Sequence, residues 1–148
     1  MTAALQTRFG PISLRDAAGR IVALDWGQHE GEATEVEAEG LRQLAEYLDG
    51  TRKVFDLPLD WGSGLNAEVR RAMFDIPFGE TRTYGEIAAL VGAPAQAVGQ
   101  ACGANPIPII IPCHRILGAK TLGGFSAPGG VETKVALLRH EGAAGLLI

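Results

Sequence analysis

Three prolines interrupt a strongly apolar segment, residues 105–116, toward the carboxyl end of the chain. The prolines are Pro106, Pro108 and Pro112. Proline fixes φ and lacks an amide proton, so this segment cannot form a regular helix and its backbone freedom is limited. Near its end stands Pro112-Cys113-His114-Arg115. The sequence therefore places a cysteine and a histidine directly after a rigid apolar segment that is not expected to form a regular helix.

Cys113 is a candidate nucleophile. A free thiol has a pKa of about 8.5, so only a small fraction is thiolate at neutral pH. Nucleophilic use requires a base or a positive neighbour. His114 and Arg115 are groups of these types, although adjacent side chains often point apart. The spacing alone is equally compatible with a reactive Cys113 and with an inert, buried one. The other cysteine, Cys102, is predicted to be a small core residue.

The remaining sequence gives no sign of a metal site, a disulfide framework or a membrane segment. Two cysteines and three histidines show no CxxC or HxxxH spacing, so neither zinc nor another cofactor is expected. No apolar run approaches the roughly 18 residues of a membrane span. Residues 1–8 lack the regions of a signal peptide, so the expected compartment is the cytoplasm.

Charge is distributed unevenly along the 148 residues. The net charge of −4 divides into −5 for residues 1–64, with six Lys/Arg against eleven Asp/Glu, and +1 for residues 65–148, with seven against six. Phosphate binding depends on local basic groups and helix N-termini rather than on overall charge. The acidity therefore makes nucleic-acid binding less expected without excluding it.

Residues 1–61 are predicted to form a small α/β unit. The apolar runs 12–14 and 21–24 are typical of two strands joined by a turn around residues 16–19. A helix with Val36, Leu41, Leu44 and Leu48 on one face should end at Gly50. The alternation of Phe55, Leu57 and Leu59 predicts a third strand, and Gly62-Ser63-Gly64 then interrupts the pattern.

Residues 62–148 are predicted to be mostly helical. A helix is expected over the apolar stripe from Leu65 to Ile76, before Pro77. Thr83-Tyr84-Gly85-Glu86 fits a capping box at the start of a second helix, which should end at Gly92. Pro94 suits the first position of a third helix. The last two helices form a helix-turn-helix candidate, although spacing alone favours an ordinary packed helical hairpin.

Several blocks of this sequence resemble one family. The string Ile111-Pro112-Cys113-His114-Arg115-Ile116 is similar to the active-site motif of the O6-alkylguanine-DNA alkyltransferases, also called methylated-DNA–protein-cysteine methyltransferases. Similar blocks stand at residues 76–88, 97–106, 123–126 and 134–142. The resemblance covers residues 65–142 and implies an α/β fold: a supporting N-terminal unit, residues 1–61, then a C-terminal DNA-binding and alkyl-acceptor domain, residues 62–148, with a winged helix-turn-helix.

The resemblance also implies roles for residues around Cys113. Cys113 would accept the alkyl group irreversibly, once per molecule, activated by Glu141 and His114 through an ordered water. Tyr84 would stabilise or protonate N3 of the guanine. The Ser126 amide would bind O6, and the Cys113 and Ile116 carbonyls would accept from the exocyclic amine. Structural roles are implied for Asn105 and Arg115.

Double-stranded DNA carrying O6-alkylguanine is the implied partner of a monomer that does not bind membranes. The second helix of the motif would enter the minor groove while the lesion flips out of the stack. DNA contacts are implied for Thr83, Ala95, Gln96, Ala97 and Gly99. The chain departs from the family at Gln96, where an arginine that replaces the flipped base is expected, at Gly103, where a basic residue is absent, and at Arg70, where tryptophan is common.

Two other functions remain as hypotheses. A non-catalytic lesion-binding module of the alkyltransferase-like kind would lack the cysteine, so Cys113 argues against it. A thiol transferase acting on a small alkylated molecule or free base is favoured by the net charge and by Gln96.

Overall fold

The computed structural model describes residues 2–118, 125 and 128–143. The chain divides into two compact units, Met1–Asp60 and Trp61–Ile148. No helix among the described residues combines the length and the hydropathy that crossing a bilayer requires.

The first unit contains five short strands. They are β1 (Thr2–Ala3), β2 (Leu5–Thr7), β3 (Gly10–Ala17), β4 (Arg20–Asp25) and β5 (His29–Glu30). These strands pair with one another in antiparallel fashion, in the orders β2-β3-β4 and β1-β5. Ala18 and Gly19, with φ of 52° and 79°, form the tight turn between β3 and β4. Left-handed φ values at both positions match the twist of a two-residue hairpin, and the predicted hairpin is confirmed.

Helix α1 (Glu35–Asp49) covers this sheet. Thr34 and Glu37 form a reciprocal capping box at its start, and Gly50, with φ of 90°, ends it. Leu44 and Tyr47 are fully buried. The predicted helix and its glycine stop are confirmed.

The predicted third strand at residues 55–59 is wrong. Only Leu59 makes a bridge, parallel to Ile21. The amide side chain of Gln43 instead accepts from the Asp56 N–H at 2.9 Å and donates to the Asp56 carbonyl at 3.0 Å. Phe55 and Leu59 are still buried, so the alternation reflects side-chain packing. The side chain of Gln43 therefore hydrogen-bonds the backbone N–H and C=O of Asp56, which in a sheet would bond to a neighbouring strand.

The second unit is largely helical. Its elements are α2 (Gly64–Phe74), β6 (Arg82–Thr83), α3 (Tyr84–Val91), α4 (Ala95–Gly103), a short 3₁₀ helix (Cys113–Arg115), β7 (Ile116–Leu117) and α5 (Val131–His140). Helices α2, α3 and α4 contact one another. The core includes Val69, Met73, Ile87, Val98 and Leu137. The mixed α/β fold expected from the sequence is thus observed.

Sequence signals locate the start of both α3 and α4. Thr83 and Glu86 form the predicted capping box, and Gly92 ends α3 in the left-handed conformation. Pro94 is the N-cap of α4 rather than its first residue, because its ψ of 146° is extended. The prediction for Pro94 is therefore wrong by one position.

Candidate active site

The segment before Cys113 is a tightly held loop. The Asn105 side chain donates to the Ile111 carbonyl at 2.9 Å and accepts from the Ile107 N–H at 3.1 Å. Ile109 has φ of 71°, a strained value for a β-branched residue, and its side chain is completely buried. The packing and the asparagine bridge hold this conformation, so the loop presents Cys113 in a fixed position.

Cys113 lies at a cavity of about 280 Å³. Its lining includes Tyr84, Gly99, Cys102, Gly103, Asn105 and Cys113. Parallel pairing of β6 with β7 sets Thr83 beside Leu117, and this pairing connects the start of α3 with the end of the cysteine segment. Cys102 is buried, as predicted, but it also faces this cavity. Two thiols and one phenol therefore share a single pocket.

A buried network joins the residues after Cys113 to the end of α5. His114 Nε2 lies 2.7 Å from Glu141 Oε2. The Arg115 guanidinium donates to both oxygens of Glu141, at 2.9 Å each. Both the histidine and the carboxylate side chains are fully shielded from solvent. Glu141 is thus a buried anion held by two partners rather than a solvated surface residue.

The segment that follows α2 closes around this network. The Ile76 carbonyl accepts from Arg115 Nη1 at 2.6 Å, and the guanidinium lies 5.8 Å from the centre of the Phe78 ring. Gly79 has φ of +85°, and a Cβ there would stand 3.2 Å from the Glu141 carbonyl oxygen. A side chain at Gly79 would therefore be strained and would crowd the backbone of Glu141.

Protonation in this network follows from burial and charge. Burial raises the pKa of Glu141, but His114 and Arg115 outweigh it and lower that pKa to about 2. Burial lowers the pKa of His114, although Glu141 opposes this effect. A neutral imidazole beside a carboxylate donates through Nε2–H, which leaves Nδ1 as an acceptor. Nδ1 is buried and bonds no protein group among the described residues.

Burial favours the protonated form of the Cys113 thiol. Burial raises its pKa, opposed by the hydrogen bond from Asn105 and by the charge of Lys134. Burial likewise raises the pKa of Tyr84, with smaller contributions from Cys102 and Cys113. A thiolate at Cys113 therefore requires a proton acceptor, and His114, the next residue in the sequence, is a neutral base.

Lys134 is a residue of this site that was not singled out from the sequence. Its side chain is 0% exposed, and Nζ donates to the Ile116 carbonyl at 2.6 Å. One signal was available: Lys134 stands seven residues before Glu141, which is two helical turns and the same helix face. A lysine on the buried face of an amphipathic helix is a candidate for a partnered, functional cation.

Helices α3 and α4 carry little charge. Gln96 and Ala95 are exposed at the start of α4, and Ala97 and Gly99 are partly buried. Thr83 is occupied as the N-cap of α3. Neither helix contains a basic residue, and α4 contains no charged residue. Phosphate contacts at this helix pair would depend on backbone amides and neutral side chains.

Burial also changes the charge balance of residues 65–148. Arg70, Arg115 and Lys134 are buried, and so is Glu141. Among the charged groups of this range that the structure describes, three accessible basic groups then remain against five acidic ones. The small excess of basic over acidic residues that is counted in the sequence of residues 65–148 is therefore absent among the accessible groups that the structure describes.

Three residues of the family-like block 123–126, namely Gly123, Gly124 and Ser126, lie outside the described residues.

Arg70 stands where tryptophan was expected from the family resemblance. It donates from Nη1 to the Trp61 carbonyl at 3.1 Å, and its buried Nε has no protein partner among the described residues. In the described part of the chain, no three His, Cys, Asp or Glu side chains cluster as metal ligands would.

Comparison with known proteins identifies similar sequences. The family described as 6-O-methylguanine DNA methyltransferase, DNA binding domain, matches residues 65–143. The methylated-DNA–protein-cysteine methyltransferase of Mycobacterium tuberculosis is 50% identical over 103 residues, which are 67% of this chain and 61% of that protein. A counterpart from Mycolicibacterium paratuberculosis is matched over 64% of its length. The matched segments thus span less than two thirds of these relatives.

Other relatives are similar over nearly their whole length. The constitutive methylated-DNA–protein-cysteine methyltransferase of Bacillus subtilis is 37% identical over 151 residues, 92% of each chain. The crystal structure of Mycobacterium tuberculosis OGT in complex with DNA superimposes with a TM-score of 0.83 at 37% identity, over 95% of this chain and 92% of that one. This likeness agrees with the α/β fold described above.

Proposed function

The chain belongs to the 6-O-methylguanine DNA methyltransferase family, and we propose that it repairs DNA by moving an alkyl group from O6 of guanine to Cys113. The observation that carries this proposal is that His114, the residue after the cavity-lining Cys113, is paired with the buried carboxylate of Glu141. A buried carboxylate that fixes an imidazole beside a thiol is the arrangement that activates a cysteine nucleophile.

The proposed reaction begins with proton removal from Cys113. Glu141 accepts from Nε2–H of His114, so Nδ1 is the basic atom. A water held by Nδ1 relays the thiol proton to the imidazole. The thiolate then attacks the alkyl carbon, a C–S bond forms, and the C–O6 bond breaks with its electron pair passing to the guanine. Tyr84, a cavity residue, donates the proton that the departing base requires at N3.

The product would be a thioether at Cys113. A neutral thioether has a poor leaving group, so neither Cys102 nor Tyr84 in the cavity is expected to remove the alkyl group from sulfur, and each molecule should act once. The Cys113 and Ile116 carbonyls would accept from the exocyclic amine of the guanine, and the Ser126 amide would bind O6. Asn105 and Arg115 would position the loop and Glu141 through the hydrogen bonds described above.

The proposed partner is double-stranded DNA. Helices α3 and α4 would act as a winged helix-turn-helix in the minor groove, with Thr83, Ala95, Gln96, Ala97 and Gly99 at the interface. The lesion would flip into the cavity. Residues 1–61 would support residues 62–148, and the protein would act as a monomer in the cytoplasm. A crystallised relative in complex with DNA supports the choice of partner.

Stoichiometry tests this function. With excess duplex that contains radiolabelled O6-methylguanine, label on the protein should rise to one methyl group per molecule and stop, as guanine is restored. Continued turnover would contradict irreversible transfer to Cys113. No label on the wild-type protein after long incubation would overturn the function itself.

Replacing Gln96 with arginine should tighten duplex binding by roughly fivefold, because a guanidinium adds charge and a forked donor set. The measurement is fluorescence anisotropy with a lesion-containing duplex at fixed salt. Gln100→Arg is the matched control, since Gln100 is also exposed on α4. Equal effects of both variants, or none, would mean that position 96 is not at the DNA interface.

A second candidate is transfer from a small alkylated base. The uncharged α4 and the negative balance of accessible charge favour it, because neither attracts a polyanion. Reaction rates with free O6-benzylguanine and with the same lesion in duplex DNA separate the two functions. A much faster reaction with DNA supports repair, whereas equal rates support the small-molecule reaction.

A further inference from the structure

Cys102 is a thiol that the proposed reaction leaves unused. It lies on α4 and lines the same cavity as Cys113, and both cysteines are free thiols. Gly99 and Gly103 of α4 also line this cavity, and a Cβ on either would meet nothing within 4 Å among the described residues. These neighbours of Cys102 contribute no side chain, so they leave the cavity side of α4 unfilled.

Hydrogen bonds through Asn105 connect the two segments that carry the cysteines. The Asn105 N–H donates to the Cys102 carbonyl at 3.2 Å. The Asn105 side chain donates to the Ile111 carbonyl at 2.9 Å, and the same carbonyl accepts from the Cys113 N–H at 2.8 Å. The shared cavity and this asparagine bridge therefore place both thiols at one site.

The two thiols differ in their access to an oxidant. Cys113 is partly exposed and is followed in the sequence by the neutral base His114, whereas Cys102 is buried. Burial raises the pKa of Cys102 to about 12. Because hydroperoxides react with accessible thiolates, Cys113 is the thiol that is oxidised first, and Cys102 remains a thiol beside it.

We propose that Cys102 and Cys113 form a reversible disulfide site, in which Cys102 captures Cys113 after a hydroperoxide has oxidised it. In the first step the Cys113 sulfur attacks a peroxide oxygen, the O–O bond breaks, and a sulfenic acid forms while hydrogen peroxide's other oxygen leaves as water. In the second step the Cys102 sulfur attacks the sulfenic sulfur, the S–S bond forms, and the hydroxyl group leaves as water with the Cys102 proton. A dithiol reductant returns both cysteines to thiols.

The disulfide has a consequence for the acceptor. Cys113 held in a disulfide has no free sulfur for an alkyl group, and it is protected from sulfinic acid, which thiol reductants do not reverse. This consequence for repair rests on the function proposed above, whereas formation of the disulfide does not depend on it.

The test compares the wild type with two variants in a small excess of hydrogen peroxide. Cys102→Ser removes the second thiol. The matched control combines Cys102→Ser with Gln100→Cys, which keeps two cysteines but moves one to an exposed position of α4, about 200° around the helix axis. Intact mass and the number of maleimide-reactive thiols are measured before and after addition of dithiothreitol.

The wild type should keep the mass of a monomer less two hydrogens. Its maleimide-reactive thiols should fall from two to none per molecule, and dithiothreitol should restore both. In Cys102→Ser and in the matched control, Cys113 should instead gain two oxygens as sulfinic acid, and dithiothreitol should not recover that thiol.

A wild-type protein that keeps both thiols, or that gains oxygen at Cys113 to the same extent as Cys102→Ser, would overturn the proposal. An equally fast intramolecular disulfide in the matched control would also overturn it, because any second thiol would then be sufficient. The wild-type measurement decides the question even if a variant fails to fold. If the disulfide forms but the reduced wild type accepts no methyl group from DNA, the proposed function fails and the disulfide site is supported.

Discussion

Replacing Glu141 with glutamine should lower the free energy of unfolding by about 3–5 kcal/mol, because it leaves the Arg115 guanidinium buried without a counter-charge. Two hydrogen bonds from Arg115 and one from His114 now end on this carboxylate. Urea denaturation followed by circular dichroism measures the change. Glu132→Gln, an exposed position on α5, is the control and should shift stability by no more than about 0.5 kcal/mol.

The stabilisation by Glu141 should also depend on pH. Its pKa is lowered from 4.5 to about 2 in the folded protein. A carboxyl group with a lowered folded pKa stabilises fully above its unfolded pKa and loses that contribution as pH falls through the folded one. The stability difference between wild type and Glu141→Gln should therefore shrink between these two values. A difference that stays constant would contradict an ionised Glu141.

Replacing His114 with glutamine should slow alkyl transfer by about 10²–10⁴-fold, the usual effect of losing a general base. Glutamine retains a polar side chain but cannot take the thiol proton. Single-turnover transfer from O6-methylguanine duplex measures the rate. The loss should be partly recovered at high pH, where hydroxide deprotonates Cys113 directly.

His140→Gln serves as the control for that experiment, because His140 lies on α5 next to Glu141 in sequence and is only partly buried. Its rate should remain close to that of the wild type. A His114→Gln variant that retains most of the wild-type rate would mean that Cys113 is activated by another group. In that case Glu141 would serve folding alone.

Local signals in the sequence were sufficient for helices α1 to α4 and for the hairpin of β3 and β4. The capping box at Thr83 and the glycine stops at Gly50 and Gly92 were predicted because they depend on neighbouring residues only. The capping box at Thr34 is of the same local kind but was not singled out from the sequence. The strand predicted at residues 55–59 failed because a long-range partner, Gln43, bonds the backbone there. Alternating burial indicates side-chain packing but does not by itself establish a ladder of backbone hydrogen bonds.

The arrangement of the active site could not be predicted from neighbouring residues in the sequence alone. Nothing between His114 and Glu141 in the sequence indicates that they lie 2.7 Å apart, and only the family resemblance suggested it. The buried state of Arg70, Arg115 and Lys134 could not be read from composition, which counts every charge as equal. The positive charge at the surface of the second unit is therefore smaller than the sequence indicates. The ammonium of Lys134 is one of the charges that are buried.

The most direct measurement of the central claim is the mass of the peptide that contains Cys113. The protein is incubated with duplex DNA carrying O6-methylguanine, digested with trypsin and analysed by mass spectrometry. Alkyl transfer to Cys113 predicts that the tryptic peptide of residues 83–115, which holds both cysteines, gains one methyl group in place of a hydrogen. Fragmentation of this peptide should locate the methyl group on Cys113 and not on Cys102, and Cys113→Ser should abolish the modification. An unmodified Cys113 peptide after prolonged incubation with excess lesion, or methylation at Cys102 instead, would contradict it.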